Sequence, residues 1–144
     1  MIKKILVPLD GSALAESALP HAQKLAKSEN AEIVILRVPL IPHERFFSRD
    51  NATPLKNTEE IEEESKNYIK AELLKLSGKG ITISGITRDG PVAETILEVA
   101  KETHADIIAM STYRRTGWQR LRMGSVADRV VHHSPIPVVV IHPN

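Results

Sequence analysis

The sequence predicts an α/β fold: a doubly wound, five-stranded parallel sheet with helices on both faces, formed as one domain over residues 1–144. Three observations support this prediction. Five short apolar runs alternate along the chain with four amphipathic patterns of helical period. Most of these runs are continuous and rich in β-branched residues, as in strands buried on both faces. Strands that alternate with helices imply right-handed crossovers between parallel strands.

The predicted strands are short, and their composition indicates which of them are buried. The continuous apolar run at 33–36 is typical of a strand that is covered on both faces. The third run alternates apolar and polar residues, so we expect it nearer an edge of the sheet. The five predicted strands are Ile5–Val7, Ile33–Leu36, Ile81–Ser84, Asp106–Met110 and Val138–Ile141.

The helical patterns between these strands carry start signals. Ser12 is the expected N-cap of the first helix, and Pro20 inside that helix is expected to bend it or to remove one hydrogen bond. The second helix is expected to start near Thr58, where a run of glutamates suits a positive helix end and forms a solvated face. Gly90-Pro91 starts the third helix, with proline at the first helical position.

The last helix and one long loop complete the chain. Ser125–Asp128 fits a capping box, which predicts Ser125 as the N-cap, and Ser134-Pro135 is expected to stop the helix. The segment from Pro39 to Asn57 contains three prolines and has no clear period. Loops of this length commonly carry function or move.

Composition excludes several classes of function. The 19 basic and 18 acidic side chains give no overall attraction to nucleic acid or to an anionic membrane. The chain has no cysteine, and its six histidines lack the spacing of metal ligands, so no metal site is predicted. No apolar stretch approaches the ~20 residues of a membrane span. We therefore expect a soluble cytoplasmic protein.

The carboxyl ends of the strands are where a ligand is expected, at the point where strand order reverses. The first candidate segment is Pro8–Ser12, which follows the first strand. Asp10 in this segment is suited to accept hydrogen bonds from an adenine amino group or a ribose hydroxyl. An equally good interpretation is that Asp10 and Gly11 only form the turn into the helix.

The second candidate segment, Met110–Ser125, connects the fourth strand to the last helix. It ends in Gly124-Ser125 at a helix start, where unpaired N–H groups and positive potential favour a phosphate. An ordinary capped helix that follows an exposed basic loop is the alternative. The basic residues of this segment are Arg114, Arg115, Arg120 and Arg122, with no acidic residue among them.

Other nucleotide and catalytic motifs are missing from the sequence. It contains neither G-x-G-x-x-G after the first strand nor the P-loop pattern G-x-x-x-x-G-K-S/T. There is no G-x-S-x-G around a serine and no recognisable Ser-His-Asp arrangement. The sequence therefore predicts no catalytic residue.

Three segments together are similar to universal stress proteins: residues 3–12, residues 105–112, and the closing stretch 124–140. This resemblance spans the chain in register. It implies a Rossmann-like sheet of the adenine nucleotide alpha hydrolase type, commonly dimeric through the last strand, here Val138–Ile141. It also implies ATP or AMP as ligand, with Mg²⁺ present only if it accompanies ATP.

The resemblance further implies which residues form the nucleotide site. Pro8, Leu9, Asp10 and Val38 match the adenine end of that site. The loop that holds the phosphates matches Met110, Ser111, Thr112, Arg114, Arg115, Gly124, Ser125 and Val126.

The phosphate loop departs from the family pattern, which is G-x-x-G, nine residues, then G-S/T. Ser111 and Arg114 stand at the two earlier glycine positions. If the backbone at Arg114 needs a positive φ, a residue other than glycine costs on the order of 1 kcal/mol. An arginine also pairs well with a phosphate, so the change is compatible with binding.

Three functions remain open. The first is an adenine-nucleotide-binding regulatory homodimer in the stress response. The second is a member that binds no nucleotide and acts as a dimeric interaction module, with the altered loop as its contact surface. The third, slow ATP hydrolysis, has the weakest basis, because the sequence places no general base near the basic loop and no carboxylate pair for magnesium.

Overall fold

The computed structural model describes residues 1–40, 57–113 and 124–143. Within these residues the chain forms five strands and five helices. The strands are β1 (Lys4–Leu9), β2 (Glu32–Arg37), β3 (Ile83–Thr87), β4 (Ile107–Ser111) and β5 (Val138–Ile141). The helices are α1 (Ala13–Glu16), α2 (Ala18–Glu29), α3 (Thr58–Leu76), α4 (Val92–Glu102) and α5 (Ser125–His133).

All five strands are parallel and lie in the order β3-β2-β1-β4-β5, which confirms the predicted fold class. Ile5 at the centre of the sheet pairs with Ile33 on β2 and with Ile107 on β4. The chain therefore builds outward from β1 to β3 and then returns to the other side of β1. Strand β3 is an edge strand, as its alternating sequence predicted.

The core has two layers, one on each face of the sheet. Alternate residues of β1 point to opposite faces, so Ile5 and Val7 pack beneath α2 and α3, whereas Leu6 packs beneath α4 and α5. Ile33 and Val34 divide in the same way on β2. These residues are almost fully buried, which explains why their sequences are apolar without alternation.

The third strand begins later than its sequence predicted, at Ile83 rather than Ile81, and continues through Gly85 to Thr87. A glycine inside a strand is unfavourable in isolation, so sequence pattern alone ends the strand early. The reason for the glycine is a close approach by α3. A Cβ at Gly85 would overlap the Cγ2 methyl of Ile69 on that helix.

The first predicted helix is divided into α1 and α2 by Ser17. Ser12 is the N-cap, as predicted, and its Oγ accepts a hydrogen bond from the Ala15 amide at 3.1 Å. Pro20 is the third residue of α2, a position whose N–H has no partner inside a helix. The chain therefore breaks three residues before the proline, and Pro20 removes no hydrogen bond from α2.

Two of the predicted helix starts are displaced by one residue. Pro91 is the N-cap of α4 and not its first helical residue. The capping box predicted for α5 is wrong: Gly124 is the N-cap, Ser125 is the first helical residue, and the N-cap residue has no side chain to cap this end. Helix α3 starts at Thr58 as predicted, and α5 ends at His133, with Ser134 as its C-cap before Pro135.

We expect Gly85→Ala to destabilise the protein by about 1–3 kcal/mol, because the new methyl group forces α3 away from the sheet. Denaturant unfolding of the variant and wild type measures this difference. Ser84→Ala is the control, since Ser84 is exposed on the same strand and its loss should change stability by less than about 0.5 kcal/mol. Equal stability of Gly85→Ala and wild type would contradict the close approach.

Candidate functional site

A cleft of about 440 Å³ lies at the carboxyl ends of β1, β2 and β4, where the strand order reverses. This is the position at which open parallel sheets bind ligands. Every predicted site residue that the structure describes lines it. These residues are Pro8, Leu9, Asp10, Val38, Met110, Ser111, Thr112, Gly124, Ser125 and Val126. Arg114 and Arg115 lie outside the described residues.

The base of the cleft is apolar. Val38 and Met110 are 4% and 6% exposed, so they offer a fixed surface after β2 and at the end of β4. Val92 and Ile96 extend this surface from the side of α4. An apolar surface of this kind suits a flat aromatic ligand, since ligand sites are lined mainly by apolar groups with a few placed polar ones.

Asp10 is the carboxylate at the end of β1. Its Oδ1 accepts a hydrogen bond from the Ser12 amide at 2.8 Å and another from the Ser12 hydroxyl. Gly11 between them has a φ of +89°, which favours glycine. Asp10 therefore forms the turn, as one interpretation of its sequence proposed. The turn occupies Oδ1, and Oδ2 is the oxygen that can accept a hydrogen bond from a ligand.

Thr112 joins the two ends of the segment that follows β4. It is 3% exposed. Its amide donates to the Ile141 carbonyl at 3.0 Å, and its Oγ1 accepts from the Gly124 amide at 2.9 Å. One buried side chain thus holds the start of α5 against the end of β4. The sequence predicted Thr112 at the site but did not predict this contact.

The start of α5 offers amide groups to the cleft. Gly124 has no side chain to cap the helix, and the Asp128 amide bonds to the Gly124 carbonyl at 2.9 Å. The amides of Ser125 and Val126, in the first turn, have no partner inside the helix. Such amides, together with the positive end of the helix dipole, suit an anion.

Ser111, which stands at a glycine position of the phosphate-loop pattern, contacts a serine at the end of α1. Its Oγ lies 2.8 Å from the Oγ of Ser17, which in turn donates to the Leu14 carbonyl. Because the Ser17 proton is used in that bond, Ser111 is the donor between the two hydroxyls. The serine that replaces a pattern glycine is therefore bonded to the junction of α1 and α2.

Several cleft residues were missed by the sequence prediction. Leu14 and Ala15 on α1 and Ala127 on α5 belong to helix segments next to predicted residues. Leu40 and Tyr113, which are 77% and 61% exposed, form part of the rim. The closeness of these two residues in sequence to Val38 and Thr112 was a signal that could have found them. Val92 and Ile96 of α4 were also missed.

A larger hollow of about 770 Å³ lies at the opposite end of the sheet. Its lining is mostly polar and of mixed charge, with Lys3, Lys27, Glu32, His104 and Asp106 around it. Lining of this kind has little apolar surface on which a base could pack. We therefore take the smaller cleft as the candidate site.

Two further features are absent from the part of the chain that the structure describes. In residues 1–40, 57–113 and 124–143, no group of three or more His, Cys, Asp or Glu side chains is placed to hold a metal ion. Within the same ranges, no helix has the length and apolar character needed to span a bilayer.

The fold and the cleft define a doubly wound α/β protein with a cleft where the strand order of its sheet reverses. Comparison with known families identifies the family to which the chain belongs. Residues 1–142 match the model of the universal stress protein family, and the chain belongs to that family.

Relatives agree with this assignment. Universal stress protein MJ0577 of Methanocaldococcus jannaschii is 32% identical over 156 residues, covering 98% of this chain and 95% of the relative. Universal stress protein MJ0531 of the same organism is 31% identical over 141 residues, covering 98% of this chain and 82% of the relative. The solved structure of MJ0577 superposes with a TM-score of 0.77 at 29% identity, covering 100% and 98% of the two chains.

Two structures with the same fold hold nucleotides. A universal stress protein in complex with cAMP has a TM-score of 0.71 at 19% identity, covering 99% of both chains. A family protein from Arabidopsis thaliana with AMP bound has a TM-score of 0.66 at 15% identity, covering 99% of this chain and 92% of that one. At these identities the likeness shows the shared fold.

We expect Thr112→Val to reduce stability by about 1–3 kcal/mol, because the Gly124 amide loses its acceptor while the side chain keeps its shape. Denaturant unfolding measures the loss, and amide hydrogen exchange of Gly124 should become faster. Thr112→Ser keeps the hydroxyl and should preserve the slow exchange of Gly124. Unchanged exchange at Gly124 in the valine variant would show that this hydrogen bond does not form.

Proposed function

We propose that this universal stress protein binds an adenine nucleotide, ATP or AMP, in the cleft and acts as a regulatory homodimer in the cytoplasm during stress. One observation carries the proposal. A single cleft brings together an apolar surface, a carboxylate and the amides of a helix start, which have no partner inside the helix. These are the groups that a base, a ribose and a phosphate require. Relatives with AMP and cAMP bound support the same ligand class.

The parts of the nucleotide have a natural order along the cleft. The base packs against Val38 and Met110, and Asp10 accepts a hydrogen bond from its amino group or from the ribose. The phosphate then lies at the amides of Ser125 and Val126, where the helix dipole favours negative charge. Mg²⁺ enters this proposal only as the companion of ATP.

The homodimer is proposed through β5. This strand is an edge of the sheet, and Val139 on it is 38% exposed. An edge strand presents unpaired backbone groups that a second copy can complete by a two-fold symmetric contact. Sedimentation of the purified protein tests this part of the proposal separately from nucleotide binding.

Calorimetric titration with ATP, ADP and AMP tests the nucleotide proposal directly. Wild type should bind at least one of them, and Asp10→Asn should bind about tenfold more weakly or worse, because a hydrogen bond to a charged acceptor is lost. The asparagine retains an oxygen for the Ser12 contacts. Asp89→Asn, an exposed change outside the cleft, should bind as wild type does.

A wild-type protein that gives no heat and no thermal shift with any of the three nucleotides contradicts the proposal. Equal binding by wild type and Asp10→Asn would leave nucleotide binding intact and remove Asp10 from the site.

The second candidate function is a dimeric interaction module that binds no nucleotide. It is favoured by the two departures from the phosphate-loop pattern, Ser111 and Arg114. If Arg114 blocks the phosphate position, Arg114→Gly should bind ATP measurably while wild type does not. If the leading proposal holds, wild type binds, and the variant gains nothing or becomes weaker because a cation is lost.

A further inference from the structure

Helix α1 is a wall of the cleft, and it packs against the core through the partly buried Ala15. It has four residues, and none of them is buried. Leu14 and Ala15 on this helix line the cleft. A single helical turn is unstable by itself, because its few hydrogen bonds do not offset the conformational entropy lost on forming it. Contacts from elsewhere in the protein must therefore keep α1 against the cleft.

Polar contacts at both ends of α1 supply part of this support. At its start, Ser12 caps the Ala15 amide at 3.1 Å. At its end, the Ser17 hydroxyl lies 2.8 Å from that of Ser111 on β4. Each of these contacts includes a residue that lines the cleft, Ala15 in the first and Ser111 in the second.

A third contact comes from outside the cleft. The hydroxyl of Tyr68, on α3, donates to Oε2 of Glu16 at 2.8 Å. Glu16 is the last residue of α1, and Tyr68 is 52 residues away along the chain. Tyr68 is not among the described residues that line the cleft. Its hydroxyl is linked to the cleft through Glu16 and α1.

Tyr68 is well suited to hold another element in position. Its half-buried ring packs against the core layer beneath α2 and α3. Burial raises the pKa of its hydroxyl far above the ordinary value, and the hydrogen bond to Glu16 and the charges of Glu16 and Glu72 add to this, against a smaller opposing effect of Arg37. The phenol therefore stays protonated at neutral pH and can donate to Glu16.

We infer that Tyr68 is a positioning residue for the cleft: by holding Glu16 it keeps α1 against the bound ligand and so sets ligand affinity. This inference rests on the proposed nucleotide binding. It predicts an effect beyond stability, because α1 meets the core through the partly buried Ala15 and has no fully buried residue. Loss of the hydroxyl should loosen the wall of the cleft more than it weakens the fold.

Tyr68→Phe removes the hydroxyl and retains the ring. With AMP as ligand, we expect the dissociation constant from calorimetry to rise about fivefold, as for the loss of one hydrogen bond. In the free protein, the amides of Ala15, Glu16 and Ser17 should exchange faster by a similar factor, since these groups carry the hydrogen bonds of α1.

Two control variants separate positioning from general damage. Glu16→Gln keeps an oxygen that accepts from Tyr68, so its affinity and exchange should stay close to wild type. Ser65→Ala removes a buried hydroxyl from the same helix, one that donates to the Ile61 carbonyl at 2.9 Å. We expect Ser65→Ala to leave AMP affinity and the exchange of α1 unchanged.

Each outcome of these measurements supports or overturns the inference. AMP binding that is equal in wild type and Tyr68→Phe overturns it, and so does equal weakening by Tyr68→Phe and Ser65→Ala. If wild type binds no adenine nucleotide, the proposed function fails and no affinity is set by Tyr68. In that case the exchange rates still show whether Tyr68 holds α1 in place.

Discussion

The parallel pairing of β1 with β4 is the constraint on which the site depends. Leu6 of β1 lies opposite Ile108 of β4, although the two strands are about a hundred residues apart in sequence. The helices that follow these strands leave on opposite faces, with Ala18 of α2 in one core layer and Ala127 of α5 in the other. A cleft opens between them because no helix in the described ranges covers the carboxyl ends of both strands.

This constraint explains what could be predicted from sequence. Buried strands must be apolar, so runs such as Ile33–Leu36 indicate the sheet, and the alternation of strands with helices places Asp10 and Gly124 at one edge of it. The resemblance to the family supplied Val38, which no local pattern would have assigned to a site. Gly85 is a counterexample, because a glycine required by a neighbouring helix looks like a strand end.

The contacts within the site could not be predicted, for a physical reason. Periodicity assigns a residue to a face, but it does not say which distant side chain it meets there. The Ser17–Ser111 pair is separated by 94 residues, and both residues occur in patterns that also fit other roles. The capping box at Ser125 failed in a similar way. The sequence pattern fits a helix start at this place, but it does not decide whether Gly124 or Ser125 is the N-cap.

Most polar groups of the cleft serve the fold as well as the candidate site. Asp10 holds its turn, and Thr112 fixes the start of α5. Groups fixed in this way lose little freedom when a ligand arrives, because the ordering cost falls on folding and not on binding.

Ser111 is another cleft residue whose polar group is used within the fold. A glycine in the phosphate-loop pattern leaves space in the cleft by having no side chain. The Ser111 hydroxyl contacts Ser17 at the junction of α1 and α2, and Ser111 still lines the cleft. The departure at Ser111 must therefore be judged together with Ser17, whose hydroxyl it contacts.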